Sequence, residues 1–465
     1  MTELPSYVSE WVVTPLGFVV QPHSSVRGRI VPLYSPGLPM VMAPFRRALG
    51  QNGVYLVVPV LAGMTMWLTF VLGRQLNGEA TGLFAALWLA ASPAFLGSAL
   101  NPLSDVPVTA WWLAALVAAI RPTVGSAALA GIATSLAVLT RPNLAPLAFV
   151  IALPYANQWL FQSRRWSRGL ALGVFLITAA TGPLVIAVLY NYWYGSPLTS
   201  GYGTTTLMFS WSHILPNLVR YPRWFVDTQT LLILAGLATP FLLHQRQGAI
   251  GLLRPAATAW LILAFSAVVW GSYVAYYFFD AWWYLRFLLP SYPPLIALAS
   301  AAFVCVLRRT AAPRTLGTIL LVLIAAHGLQ FSWKDHLFSI GTGEARYKRV
   351  AEFVGRSVPE RALLLGMQHS GSLSYYSHRT TLRYDLISGD RLDDIVAHFQ
   401  ARGRDIYIVL DEWEKEVFRG RFASDSVLGG LGWTPIAVAP GGMPVTIYDP
   451  RDRMSTRPVA TQIIP

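Results

Sequence analysis

Charged side chains are scarce in this sequence, and acidic residues are scarcer than basic ones. Of its 465 residues only 12% are charged and 54% are hydrophobic, whereas a soluble domain carries about 25% charged residues. So few charged residues cannot keep a chain of this length soluble in water. The composition therefore excludes an ordinary soluble protein and predicts an integral membrane protein with many spans.

Cysteine is nearly absent as well, since Cys305 is the only one. A single cysteine excludes an intrachain disulfide, and its position in an apolar run is typical of a small buried hydrophobe. The first residues, MTELPSYVSEWVV, have no basic segment and carry Glu3 and Glu10, which is unlike a signal peptide.

Several motifs that would identify a function are also missing. There is no Walker A motif, no G-x-G-x-x-G and no Cys/His cluster with zinc spacing. The segment HSGSLSYY (369–376) lacks the spacing of a nucleophile elbow and is predicted to be a turn at a strand end. The net charge is +13, but most arginines outside the C-terminal region lie between apolar runs. This pattern favours contact with lipid headgroups over nucleic-acid binding.

What the sequence does contain is a series of apolar runs of about the 20 residues that a membrane span needs. The loops between them alternate: one set is basic and almost without acids, which predicts a cytoplasmic position, and the other set faces outward. Charge bias and alternation agree at every loop. The ten candidate spans are 54–73, 81–99, 106–120, 124–139, 143–161, 169–189, 229–245, 255–277, 283–306 and 314–331.

An even number of spans, with the last loop outside, places residues 1–53 outside as well. The simplest explanation is a first helix upstream of Met1, and the alternative is a miscount by one. We therefore expect about 10–11 spans, with 1–53 as a segment of the first outer loop and 54–335 as the transmembrane domain.

The composition changes after residue 335, because residues 340–450 contain most of the acidic residues. RALLLGMQ and DIYIVLD, which ends in Asp411, are predicted to be strands. ARYKRVAEFVGRSV and DRLDDIVAHFQARG, which ends at Gly403, are predicted to be helices. This alternation predicts a small α/β domain on the outer face, followed by a flexible tail over 451–465.

Polar residues at membrane depth are costly and are functional candidates by default, although charges at loop edges are often only interface anchors. Asp105 lies in a short loop between Pro102 and Pro107; it is either a site carboxylate or the N-cap of the next helix. Arg286, in YLRFLLPSYPP, lies just inside a span. The charged and histidine residues predicted to face outward are Glu3, Glu10, His23, Arg27, Arg29, Asp105, Arg141, Arg220, Arg223, Asp227, Asp280 and Arg286.

Five segments, taken in order, resemble the GT-C glycosyltransferases, the superfamily of protein O-mannosyltransferases and of the aminoarabinose transferase of lipid A, in its bacterial form. The resemblance covers most of residues 30–300. The segments are LYSPGLPMVMAPF (33–45), PLSDVPVTAWWLAAL (102–116), GIATSLAVLTRPNLAPL (131–147), NYWYGSPLTSGY (191–202) and YLRFLLPSYPPLIALA (284–299).

The resemblance implies an inverting transfer of a sugar from a polyprenyl-phosphate donor, at the outer face of the plasma (inner) membrane. The acceptor is a lipid, a glycan or a protein. In the family an acid of the first outer loop acts as base, which here points to Glu3, and a second-loop acid supports the site, which points to Asp105. A divalent metal often holds the leaving phosphate, and Asp105 is its candidate ligand.

Further candidates follow from charge, position and the aromatic loop. Arg286 and Arg141 are candidates for binding the donor phosphate, because a guanidinium matches phosphate geometry. NYWYGSPLTSGYG (191–203) is either an aromatic interface belt or a lid over a lipid or sugar. The candidate substrate-loop residues are Tyr34, Pro36, Tyr194 and Tyr202.

Two other functions remain open from the sequence. A polytopic transporter or flippase of lipid or oligosaccharide would also have many spans, but such proteins often contain internal repeats, and no repeat is visible here. An assembly subunit would use its soluble domain to bind partners. The charges cluster at one face, which favours an enzyme at the outer interface.

Overall fold

The computed structural model describes residues 4–5, 9–20, 30–161, 166–203, 208–247, 250–454 and 460–464. Contacts divide the chain into two units. The helical unit comprises residues 35–191 and 196–338, and the α/β unit comprises residues 1–34, 192–195 and 339–465.

Each of the ten apolar runs coincides with a helical segment in the helical unit. Some of these segments begin with a 3-10 turn, as at Gln51–Leu56, Leu231–Ala238 and Trp282–Ser291. The α-helices are α1 (Gly37–Leu49), α2 (Val57–Asn77), α3 (Glu79–Ala90), α4 (Pro93–Ala99), α5 (Asp105–Ala119), α6 (Val124–Thr140), α7 (Leu147–Phe161), α8 (Trp166–Tyr194), α9 (Ile214–Gln229), α10 (Thr239–Leu242), α11 (Pro255–Val274), α12 (Tyr292–Leu307) and α13 (Pro313–Lys334).

Five helical segments of the described chain are long and apolar enough to cross a membrane, and there are up to seven if each of two bent pairs forms one span. The bends measure 66° between α3 and α4 and 101° between α9 and the segment 231–242. The helices α5 and α6 are apolar but shorter. The chain is a multi-pass α-helical membrane protein.

Close backbone contact explains why small residues recur in these helices. Gly73 of α2 lies against Gly82 of α3, where an added Cβ would come within 2.9 Å of the Gly82 Cα atom. Lipid provides no hydrophobic drive between helices, so tight packing of this kind supplies the attraction.

Two helices lie where the sequence predicted only outer loops. Helix α1 falls inside 1–53, and α9 falls inside the loop 190–228; both are amphipathic. The period-3.6 pattern is present in both segments, but their polar residues and internal prolines, Pro44 and Pro222, hide it.

The α/β unit contains a six-stranded sheet of order β4-β3-β5-β7-β6-β8. Strand β3 pairs in parallel with β4 and β5, and β7 pairs antiparallel with β5 and β6. The strands are β1 (Phe18–Val20), β2 (Ile30–Pro32), β3 (Leu363–Leu365), β4 (Thr380–Leu382), β5 (Ile406–Asp411), β6 (Ala437–Ala439), β7 (Val445–Tyr448) and β8 (Gln462–Ile463). The helices are α14 (Ile340–Ser357), α15 (Ser370–Ser372), α16 (Leu392–Gln400) and α17 (Glu412–Phe422).

The two strands and two helices predicted from sequence are present in this unit as β3, β5, α14 and α16. Gly403 follows α16 with a φ of 70°, a left-handed conformation that glycine adopts without strain. The segment HSGSLSYY is helical rather than a turn: α15 continues into a π-helical turn over Leu373–Ser377.

Both ends of the chain depart from the expected boundaries. Residues 462–463 form the edge strand β8, paired in parallel with β6, where a flexible tail was expected. The hairpin of β1 and β2 belongs to the α/β unit, and the Arg383 amide donates a hydrogen bond to the Val12 carbonyl. Long-range pairing of this kind leaves no local sequence signal.

Candidate functional site

Asp105 is the first residue of α5, and it is 2% exposed. Ser104 precedes it at the N-cap position without a side-chain capping bond. Pro107 lies in the first turn, where its missing N–H removes no helical hydrogen bond. A negative charge in this turn is stabilised by the helix dipole.

Arg141 comes to the same place because α5 and α6 form a hairpin. Residues 120–123 connect the two helices, so the start of α5 and the end of α6 lie side by side. Helix α6 stops at Thr140 because Pro142 favours an extended conformation for the residue before it, and Arg141 has φ −149° and ψ 89°.

The two side chains form a buried ion pair. The Arg141 Nη2 donates to Asp105 Oδ1 at 2.7 Å and to Ser104 Oγ at 3.0 Å, and its Nη1 donates to the Tyr273 hydroxyl at 3.4 Å. These bonds use three of the five N–H groups of a guanidinium. Among the described residues, no other acceptor is bonded to Arg141.

This pairing changes the role expected for Asp105. Its carboxylate faces Arg141 rather than forming the helix cap that was the alternative. The Asp105 oxygen that Arg141 Nη2 contacts is taken up by that 2.7 Å bond. Asp105 therefore fits best as a residue that positions Arg141.

Arg286 lies in the 3-10 helix Trp282–Ser291, close to Arg141. Its guanidinium is 5.4 Å from the ring centres of Tyr284 and Phe287, and the Arg141 guanidinium is 5.8 Å from the ring centre of Phe287. The two cations thus share one aromatic ring. The Arg286 Nε is buried and has no hydrogen-bond partner in the described part of the chain, and such a donor is unfavourable until it is bonded.

Arg286 also differs from Arg220 and Arg223, because it has no acidic partner among the described residues. Arg220 pairs with Asp280, and Arg223 approaches Asp227 at 3.8 Å. Within the described ranges, Arg286 forms no ion pair. Of the remaining predicted residues, Glu3, His23, Arg27 and Arg29 and the side chain of Glu10 lie outside what the structure describes.

The four predicted substrate-loop residues have different environments. Tyr194 ends α8; it is buried, and its hydroxyl donates to the Pro32 carbonyl at 2.5 Å. Tyr34 and Tyr202 are exposed, and Pro36 is the N-cap of α1. A buried and bonded Tyr194 contributes to packing and is unsuited to contact with a substrate.

The surroundings of Asp105 do not fit a divalent cation. Such an ion needs several oxygen ligands, but one oxygen of Asp105 is bonded to Arg141 and a second guanidinium lies across Phe287. No group of three or more His, Cys, Asp or Glu side chains suited to a metal occurs among the described residues. Asp105 as a metal ligand stays a prediction, and the described residues around it do not supply the further oxygen ligands that the ion would need.

A second buried charge cluster lies in the α/β unit, at the ends of β3 and β5. Asp411 Oδ1 accepts hydrogen bonds from Arg346 Nε at 3.2 Å and from His369 Nε2 at 3.1 Å. Burial alone would raise the pKa of Asp411, but the hydrogen bonds from His369 and Arg346 outweigh it and lower that pKa. Burial raises the pKa of the neighbouring Glu414.

Comparison with known proteins relates this geometry to a fold. No family model and no curated protein sequence matches the chain. The crystal structure of ArnT from Cupriavidus metallidurans bound to undecaprenyl phosphate is similar over 89% of this chain and 88% of that chain, at 14% identity and a TM-score of 0.53. Its apo state is similar over 89% and 87%, at 14% identity and a TM-score of 0.55.

The chain has the GT-C fold. A weaker likeness, with a TM-score of 0.49 and 13% identity over 90% of this chain and 66% of the other, is to the oligosaccharyltransferase AglB from Archaeoglobus fulgidus. The sequence resemblance to GT-C glycosyltransferases is thus confirmed at the level of the fold, including the small C-terminal sheet region.

Sequence reasoning named Asp105, Arg141 and Arg286 separately and missed what joins them. Tyr273, which binds Arg141 and stacks on Phe287 at 5.4 Å between ring centres, carries no distinguishing sequence signal. One sequence signal could have predicted the ion pair. Asp105 and Arg141 carry opposite charges at the start of α5 and just after the end of α6, and these two ends of a helical hairpin lie side by side.

Proposed function

We propose that the chain is an inverting glycosyltransferase that moves a sugar from a polyprenyl-phosphate donor to an acceptor at the outer face of the plasma membrane. The observation that carries the proposal is Arg286, a half-buried cation that lies beside Arg141 in a GT-C fold and has no acidic partner in the part of the chain that the structure describes. The similar ArnT structure, which was crystallised with undecaprenyl phosphate, supports a lipid phosphate as the ligand.

Arg286 and Arg141 together provide what a phosphate leaving group requires. When the bond from the sugar to the phosphate breaks, negative charge develops on the phosphate oxygens. Preorganised donors stabilise that charge strongly in a site that excludes water. The free N–H groups of Arg141 and the unbonded Nε of Arg286 are such donors.

Asp105 contributes by holding Arg141 in place. The 2.7 Å bond fixes the orientation of the guanidinium, so that little side-chain entropy is lost when the phosphate binds. The base that accepts the proton of the attacking hydroxyl group is assigned by resemblance to Glu3. This assignment remains a hypothesis.

The same proposal places the α/β unit outside the membrane, in agreement with the loop charges. Cysteine labelling tests this placement: Ser424 is exposed, and a Ser424→Cys variant with Cys305→Ser carries one reactive thiol. We expect a membrane-impermeant maleimide to label intact cells. Labelling only after the cells are opened would reverse the topology.

Arg286→Ala tests the phosphate role directly. A hydrogen bond to a charged group contributes about 1.5–3 kcal/mol, so we expect polyprenyl phosphate to bind ten- to a hundredfold more weakly. Arg223→Ala is the matched control, because Arg223 is exposed and already paired with Asp227. Unchanged affinity in a folded Arg286→Ala protein would contradict the role.

A sugar-transfer assay in detergent micelles separates the enzyme from a transporter. Micelles have no second compartment, so a flippase would bind the lipid phosphate and transfer nothing. We expect the protein in micelles to transfer sugar to acceptors in an added extract. This transfer should require Arg286.

A further inference from the structure

An open cleft of about 370 Å³ lies in the helical unit, and two of its lining residues, Trp282 and Trp283, belong to the 3-10 helix that carries Arg286. This volume is at the small end of the range for ligand pockets, about 300–1,000 Å³. Neither the sequence motifs nor the phosphate role of Arg286 accounts for it. Its lining residues are Trp224, Asp227, Asp280, Ala281, Trp282, Trp283 and Phe331.

The lining combines flat aromatic rings with carboxylates. The Trp283 side chain is 57% exposed, so its ring offers an open apolar face. The side chains of Asp227 and Asp280 are 52% and 68% exposed, and carboxylates accept several hydrogen bonds. Aromatic faces that pack on C–H groups, with carboxylates that accept from hydroxyl groups, match the two kinds of surface on a sugar ring.

The backbone places Trp283, which lines this cleft, close to Arg286, the candidate for binding the donor phosphate. Trp283 and Arg286 are three residues apart in the 3-10 helix Trp282–Ser291, and side chains at i and i+3 of such a helix eclipse each other, about 6 Å apart along its axis. The Tyr284 ring connects them, at 6.4 Å from the Trp283 ring and 5.4 Å from the Arg286 guanidinium.

The lining is also held in place by its neighbours. The Trp282 ring packs edge-on against Phe331 at 5.0 Å, and its Nε1 donates to Asp335. Arg220 pairs with Asp280 while its guanidinium lies 4.5 Å from the Phe278 ring. A rigid lining lowers the entropy cost of binding a small ligand.

We infer that this cleft binds the sugar ring of the lipid-linked donor. The ring lies against Trp283, its hydroxyl groups donate to Asp227 and Asp280, and its phosphate lies one helical turn away on Arg286. The inference rests on the proposed function and adds the position of the sugar to it. The competing explanation is that these tryptophans only anchor the protein at the membrane interface.

The test compares lipid phosphates with and without a sugar. Bare polyprenyl phosphate, polyprenyl-phosphate mannose and polyprenyl-phosphate glucose are titrated into the full-length protein in nanodiscs. We expect Trp283→Ala and Asp280→Asn to weaken binding of at least one sugar-bearing lipid by about tenfold and to leave binding of the bare lipid unchanged. Trp333→Ala is the control, because Trp333 is an exposed tryptophan, more exposed than Trp283, that lies outside the cleft.

Each result distinguishes the inference from the proposed function. If both variants bind the sugar-bearing and bare lipids as the wild type does, the cleft does not hold the sugar, while the phosphate role stands. If Trp333→Ala has the same effect as Trp283→Ala, the tryptophans act only as interface anchors. If the wild type binds none of the lipids, the proposed function itself fails.

Discussion

The two units each bury an arginine–carboxylate pair, and the pairs differ in how completely they are bonded. In the α/β unit, Arg346 binds both oxygens of Asp411, the Gly343 carbonyl and the Tyr347 hydroxyl. In the helical unit, Arg141 binds one oxygen of Asp105 and the hydroxyls of Ser104 and Tyr273.

The surroundings extend this difference. Asp411 also bonds to His369, and its backbone amide donates to Glu414, which accepts further bonds from the Gln368 amide and the Tyr384 hydroxyl. In the described part of the chain, Asp105 accepts a side-chain bond at one oxygen only, and the guanidinium groups of Arg141 and Arg286 both lie near the Phe287 ring. The Arg346–Asp411 pair is more fully bonded, although Nδ1 of the adjoining His369 has no partner among the described residues. A fully bonded pair stabilises a fold, whereas a less bonded pair retains donors for a ligand.

The difference teaches that burial of a charge pair does not by itself indicate function. Asp411 and Asp105 are equally inaccessible, and both lie at the start of a helix. The unused hydrogen-bonding capacity around Arg141 and Arg286 is what makes their site a candidate for binding phosphate.

The largest effect is expected from Asp411→Ala, which would test the structural half of the comparison. Removing one member of a buried ion pair costs about 3–5 kcal/mol, because Arg346 stays buried and, among the described acidic residues, keeps only the longer contact with Glu344, at 3.8 Å. Thermal unfolding of the α/β unit measures this loss of stability. Glu416→Ala is the control, since Glu416 is an exposed acid on the same helix; an equal loss in both variants would remove the distinction.

Asp105→Asn should produce a smaller effect, and one of a different kind. Arg141 loses its charged partner and its orientation, so we expect donor affinity and sugar transfer to fall about ten- to a hundredfold, with some loss of stability. The double variant Asp105→Asn with Arg141→Gln separates the effect on stability from the effect on sugar transfer. It should regain stability without regaining transfer, and recovery of both would show that the pair is purely structural.

Lowering the pH should produce the smallest effect, a loss of stability in the α/β unit only. The folded pKa of Asp411 lies below its ordinary value of 3.8, so its contribution is present above about pH 4 and is lost as pH falls through the folded pKa. Burial raises the pKa of Glu414, so protonation of Glu414 stabilises the folded protein. This gain in stability begins at a slightly higher pH than the loss at Asp411.

Thermal unfolding between pH 3 and pH 7 measures this contribution as the difference between the wild type and Asp411→Asn. We expect the difference to shrink as the pH falls below about 4. A difference that stays constant with pH would mean that the carboxylate charge of Asp411 does not matter.

Much of the fold could be predicted because its physical causes are local. Apolar runs of membrane length must become helices, since the backbone has no other way to bond in lipid, and all ten runs did so. Strands β3 and β5 and helices α14 and α16 were equally visible in the α/β unit. The amphipathic helices α1 and α9 were missed because they are neither apolar enough for a span nor free of proline.

By itself the sequence determined the class of protein, the positions of the apolar helical segments and the identity of three candidate side chains, Asp105, Arg141 and Arg286. The tertiary structure decided that Asp105 and Arg141 form an ion pair and that Arg286 has no acidic partner among the described residues. It also decided that Trp283 stands one 3-10 turn from Arg286. Such relations depend on distances between segments far apart in the chain, which packing sets and local sequence does not record.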